Sequence, residues 1–223
     1  MKQKVVQRIL LGVLCSIAVS SWSEQEIRIE NAVELEESLS IQAYDEVKDY
    51  YEGLGFWIPE DASPYIIFQD RISLEGRNVP DALGLFDPDS MSIRLVHLDS
   101  DKFQQRGFLG VQPTVEVYYS VIVHELAHYL NALVSPGLLP PADELIASTV
   151  QLDLMDPRTR ENILSSIQVK RFASCRDITL SAYWFGPDNF ILACYCYSKE
   201  HPNMFMRYLK QTNPKIKDPL FID

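Results

Sequence analysis

The sequence predicts an α+β fold: a small twisted sheet with a β-hairpin at its edge, packed on a central helix and followed by a mainly helical C-terminal part. Three observations predict it. At Asp87-Pro88-Asp89-Ser90 the chain carries turn chemistry, after which Met91, Ile93 and Leu95 alternate with Ser92, Arg94 and Val96, as in a strand with one polar face. From about Thr114 to Leu133 a long apolar stretch keeps a helical period. Beyond the break at Ser135-Pro136-Gly137, proline-led starts recur at Pro140-Pro141, Asp156-Pro157 and Gly186-Pro187-Asp188. With 223 residues and 47% hydrophobic content, the chain can bury one sizeable core, and no interdomain linker is visible.

Each element follows in order. Residues 1–23 read as an export signal: Lys2, Lys4 and Arg8 form a positive start, Ile9 to Val19 an apolar run too short for a stable membrane span, and Ala18-Val19-Ser20 a cleavage site. The remainder, 24–223, reads as a single domain, with an N-terminal lobe over 24–134 and a helical C-terminal lobe over 135–223. Residues 24–40 are acidic and weakly patterned. Leu35, Leu39, Ala43, Val47 and Tyr50 or Tyr51 recur at helical spacing from Glu34 until Gly53 and Gly55 end the run. Tyr65 to Phe68 is a short strand, and 83–97 a hairpin. Helices follow over about 114–133 and 142–155, then a helical segment reaching about Lys170, a turn and helix start at 186–188, and a closing helix over 203–211.

Charge and cysteines bound the partners. The formal charge is −11, and loss of the signal would leave 17 basic against 31 acidic residues, near −14. Such a surface repels phosphate backbones, which excludes nucleic acid as a partner. The expected location is periplasmic or secreted, with no stable membrane span in the mature form. In an oxidising compartment Cys175 can bridge to Cys194 or Cys196, leaving one thiol over; three free cysteines are the alternative. The absence of any CxxC pair rules out a zinc ribbon.

The chemistry concentrates in His124-Glu125-Leu126-Ala127-His128, which uses two of the four histidines of the chain. Histidines at i and i+4 stand one above the other on a helix, so two imidazoles can grip one metal ion. Ile122, Leu126, Tyr129 and Leu133 form one face of this helix and His124 and His128 the opposite one, with Glu125 between them. A helix of that kind must be covered on both sides, which makes it the central helix lining a cleft. A catalytic zinc needs a third protein ligand and an open fourth position. Glu144, opening the next helix, is the candidate; neighbouring Asp143 is its rival, with a shorter reach. Glu144, Ala147, Ser148 and Gln151 share one side of that helix, and the small residues permit close approach to the histidines.

The pattern of two histidines with an intervening glutamate, then Glu144 with small Ala147 three residues on, resembles the gluzincin group of zincin metallopeptidases over roughly residues 83–155. The resemblance implies a zincin-like fold and zinc-dependent hydrolysis of peptide bonds. In it His124, His128 and Glu144 hold one Zn²⁺, and Glu125 activates a zinc-bound water as general base. It also implies that the outer strand of the hairpin binds extended peptide or protein substrate by strand addition. The chain departs from some members at position 148, where Ser replaces an Asp that supports the first histidine; Gln151 or a backbone carbonyl would then supply that support. Tyr183 and His201 are candidates to stabilise a developing oxyanion. His97 reads as structural and Asp99-Ser100-Asp101 as a solvated turn. A catalytically inactive zincin-fold protein of the cell envelope, holding metal or a partner in the same cleft, is the alternative; a retained membrane anchor is a third.

Overall fold

The computed structural model describes residues 27–74, 77–78, 82–106 and 108–211. The 1–23 export segment lies outside them. The fold is α+β and mainly helical, with a small mixed sheet. Its strands are β1 (Arg28–Glu30), β2 (Tyr65–Gln69), the short pair β3 (Ser73–Leu74) and β4 (Arg77–Asn78), β5 (Gly84–Asp87) and β6 (Ser92–Val96). Its helices are α1 (Glu34–Gly53), α2 (Asp101–Arg106), α3 (Val115–Val134), α4 (Pro140–Leu154), α5 (Pro157–Ser166), α6 (Leu180–Phe185), α7 (Pro187–Glu200) and α8 (Pro202–Gln211).

Four strands form the main sheet in the order β1-β2-β6-β5. β1, β2 and β6 run parallel, and β5 runs antiparallel to β6. Parallel neighbours need a long connection, and α1 supplies it between β1 and β2. The 83–97 hairpin is present as β5 and β6. Its turn is held by Asp87, whose carboxylate accepts from the Ser90 hydroxyl at 2.6 Å and the Asp89 amide at 3.1 Å, while Met91 takes the left-handed φ of 52°. The polar face expected for β6 is only partly there: Arg94 is half-buried, while Ser92 and Val96 are buried along with Ile93 and Leu95.

Helix boundaries fall close to those expected. Thr114 caps α3 by accepting from the Val117 amide at 3.3 Å, a contact typically worth about 1 kcal/mol. Prolines open α4, α5 and α7 where their missing N–H has no helical partner to lose. Two readings need correction. The third helical segment stops at Ser166 and the chain is irregular at Lys170, which spends its amide on the Asn189 side chain at 2.8 Å. On α1, the inward residues of the first turns are Glu36 and Ser40, and Leu35 is exposed. Glu36 is tied into the interior by the Leu98 amide at 2.8 Å, the Val33 amide at 3.0 Å and His97 Nδ1 at 3.1 Å. These bonds outweigh the apolar preference for Leu35 and give His97 its structural role. Cys175, Cys194 and Cys196 are all free.

α3 is the spine. It is buried along almost all its length and packs against α1, α4, β5 and β6. α4 runs antiparallel to it: Ser120 meets Gln151 near one end, and His128 meets Asp143 near the other. This antiparallel pair, with β5 across its face, positions the site.

Candidate metal centre

His124 and His128 face one another across a single turn of α3, with their Nε2 atoms 3.0 Å apart. Glu144, near the start of α4, brings Oε2 to 3.5 Å from His124 Nε2 and Oε1 to 3.8 Å from His128 Nε2. One ligand atom from each residue lies within 4.8 Å of the others. An ion with bonds of about 2.0–2.2 Å in tetrahedral geometry holds its ligand atoms roughly 3.3–3.6 Å apart, a range that the separations of 3.0, 3.5 and 3.8 Å straddle.

The polar atoms bear the same reading. His128 Nδ1 donates to Asp143 Oδ2 at 2.8 Å, which leaves its Nε2 facing His124. Glu144 Oε2 is buried and makes no hydrogen bond. Two imidazole nitrogens and a carboxylate converge on one point only with a proton or a metal cation among them. Two imidazoles and a carboxylate therefore fit a single divalent ion. Asp143 stands outside the candidate triad as the hydrogen-bond partner of His128, an arrangement that orients the ring. The support for the first histidine expected from Gln151 is not there: the Gln151 amide donates to Ser120 Oγ at 3.2 Å. His124 Nδ1 and Ser148 Oγ are both buried without a hydrogen-bond partner, so the departure at position 148 is real in its consequence.

Electrostatics follow burial and charge. Burial works against a charged His128, but Asp143 and Glu144 outweigh it and hold the ring up at about 10. Burial pushes Glu144 upward, while His128 and His124 pull it below the usual carboxylate range. Glu125 goes the other way: burial raises it, and the two imidazoles recover only part of the shift.

Glu125 is held by the hairpin. The Phe86 amide donates to its carboxylate, and Gly84 lies so close that a Cβ there would stand 2.5 Å from both Cγ and Oε1 of Glu125. A cavity of about 320 Å³ opens over the ligand atoms, walled by Leu85, Phe86, Leu138 and Tyr183 among others. Tyr183 thus reaches the site. His201 does not: it ends α7, stacked on Tyr197 with ring centroids 4.4 Å apart. Gly84, Asn131 and Tyr51 are the residues that sequence reading missed. Asn131 lies three residues beyond His128 on the same face of α3, a polar residue in an apolar run, which is the one local signal any of them carries.

A family model, described as a family of unknown function, DUF6639, matches residues 66–213. The chain belongs to the DUF6639 family. Its matched segment takes in the hairpin, the metal-centre helices and α5 to α8, and begins within β2, beyond α1. No curated protein and no solved structure matches the chain. Among the described residues, no helix is long and apolar enough to cross a membrane.

Proposed function

We propose that this DUF6639 chain is a zinc-dependent peptidase of zincin type, with His124, His128 and Glu144 as zinc ligands and Glu125 as general base. The observation that carries the reading is the convergence of three ligand atoms within 4.8 Å, beside a buried glutamate, under the free edge of an antiparallel strand. Zinc, when bound, acidifies a coordinated water and polarises a carbonyl.

The remaining work falls to the chain's own residues. Glu125 accepts a proton from water and passes it to the departing amine, and its raised pKa suits it to both steps. The Phe86 amide keeps that carboxylate aimed while it does so. Tyr183, the donor at the cavity wall, serves the developing oxyanion. β5 ends the described sheet: Gly84 to Asp87 pair with β6 on one side, and an extended peptide would lie along the other. The apolar wall of Leu85, Phe86 and Leu138 favours an apolar side chain next to the cleaved bond.

The test uses purified protein and a mixed peptide library. Hydrolysis should require stoichiometric zinc, stop with a chelator and return on zinc addition. Glu125→Gln should retain the metal and lose roughly 10²-fold or more in kcat, the range general acid–base catalysis supplies. A chain that binds zinc stoichiometrically and cleaves nothing is a binding protein, and the peptidase reading then fails.

A further inference from the structure

Behind His128 a line of hydrogen bonds crosses three elements. The Tyr51 hydroxyl, from the last turns of α1, meets Asn131 Oδ1 at 2.5 Å. Asn131 Nδ2 donates to Asp143 Oδ1 at 2.7 Å. Asp143 Oδ2 accepts from His128 Nδ1 at 2.8 Å. Tyr51 is wholly buried and Asn131 is 1% exposed, so solvent does not compete for the bond between them, while Asp143 stands half-buried at the cavity wall.

The direction of each bond is dictated by its neighbour. A carboxylate only accepts, so both Asn131 Nδ2 and His128 Nδ1 must present hydrogens to Asp143. Asn131 then has only its carbonyl oxygen to offer Tyr51, and Tyr51 must donate. A second acceptor, the Ala127 carbonyl at 3.3 Å, lies on the same side of that hydroxyl. Burial, with Asp143 and Tyr50 nearby, pushes the Tyr51 hydroxyl well above its ordinary range and keeps it a donor.

From this geometry we propose that Tyr51 and Asn131 are positioning residues of the metal centre. Tyr51 sets the orientation of the Asn131 amide, Asn131 holds Asp143, and Asp143 fixes His128 with its proton on Nδ1 and its Nε2 lone pair toward the ion. The inference rests on the metal reading of His124, His128 and Glu144. It adds that the affinity of the centre is set in part from α1, a helix that supplies no ligand.

Loss of either residue has a defined consequence. Without the Asn131 amide, Asp143 Oδ1 loses its donor, and the carboxylate can rotate away from His128. Without the Tyr51 hydroxyl, the Asn131 carbonyl has no donor and the amide is free to turn its oxygen toward Asp143. Because Tyr51 acts only through Asn131, its removal should matter little once Asn131 is gone.

The experiment is a double-mutant cycle on metal affinity. Wild type, Tyr51→Phe, Asn131→Ala and the double variant are titrated with Zn²⁺ against a chromophoric chelator, and each is loaded with Co²⁺ for its visible spectrum. Asn131→Ala should weaken zinc binding roughly 10–100-fold, the usual cost of losing support behind a metal ligand. Tyr51→Phe, which keeps the ring in the core, should weaken it severalfold, and the double variant should match Asn131→Ala alone. The Co²⁺ bands of both single variants should shift as the imidazole loosens. A purely structural role would lower thermal stability without moving the Co²⁺ spectrum, and losses that simply add would show independent effects; either result overturns the relay. So does a wild-type chain that binds zinc while both single variants bind within twofold of it. A wild-type chain that takes up no metal overturns the metal reading and the relay together.

Discussion

What holds Glu125 in place is backbone. The Phe86 amide supplies its hydrogen bond, and the bare Cα of Gly84 supplies the room for its side chain. Gly84→Ala is therefore a test of the base that leaves every ligand in place. A methyl group 2.5 Å from Cγ and Oε1 of Glu125 cannot be accommodated without displacing the carboxylate or the strand. Peptide hydrolysis should fall at least roughly tenfold, a modest part of what a positioned base contributes, while zinc stoichiometry by elemental analysis stays at one per chain. Gly53→Ala is the control, because a Cβ there meets nothing within 4 Å, and it should leave activity unchanged. Full activity in Gly84→Ala would show that the base does not depend on this approach.

At the scale of elements, the site exists because α3 and α4 approach closely enough for a carboxylate on one to reach imidazoles on the other. Ala147 is fully buried one turn beyond Glu144, where a small side chain keeps the helices close. Ala147→Leu should cost about 1–3 kcal/mol in urea denaturation, the usual price of overpacking, and should weaken zinc binding more than tenfold by drawing Glu144 away from His124. Unchanged affinity in a destabilised variant would place the register of the ligands elsewhere. This pairing was largely legible in the sequence, because an apolar run at helical period, a proline-led start and an i, i+4 histidine pair are all local patterns. β1 was not legible: three residues in an acidic stretch become a strand only through β2, whose residues lie far along the chain. The inward face of α1 was misread for a related reason, since Glu36 is buried by amides from distant residues rather than by its own hydrophobicity. Asp143 was weighed only as the rival of Glu144 for a ligand, and its hydrogen bond to His128 was not foreseen. Which of two adjacent carboxylates ligates and which supports is decided by how α4 meets α3, not by residue type. Tyr51 carries no local signal at all.

For the whole molecule, a metal at this centre is a cross-link between α3 and α4, the helices that connect the sheet to the C-terminal helices. A ligand bound only by the folded state stabilises it by mass action, about 4 kcal/mol when the free ion is a thousandfold above Kd. In a chain of this size that amounts to a rise in Tm of roughly 8–16 °C. The outer face of α1 complicates the measurement, because Glu34, Glu37, Asp45, Glu46 and Asp49 offer exposed carboxylates to any divalent cation. Glu144→Ala separates the two effects. It removes the ligand that α4 contributes and leaves the α1 surface intact, so the zinc-dependent rise in Tm should vanish in this variant. Calcium, which prefers oxygen ligands, should produce no comparable rise in wild type. Differential scanning calorimetry of both proteins, with and without zinc, provides the comparison. An equal rise in wild type and Glu144→Ala would assign the stabilisation to surface carboxylates and remove the cross-link from the account of this fold.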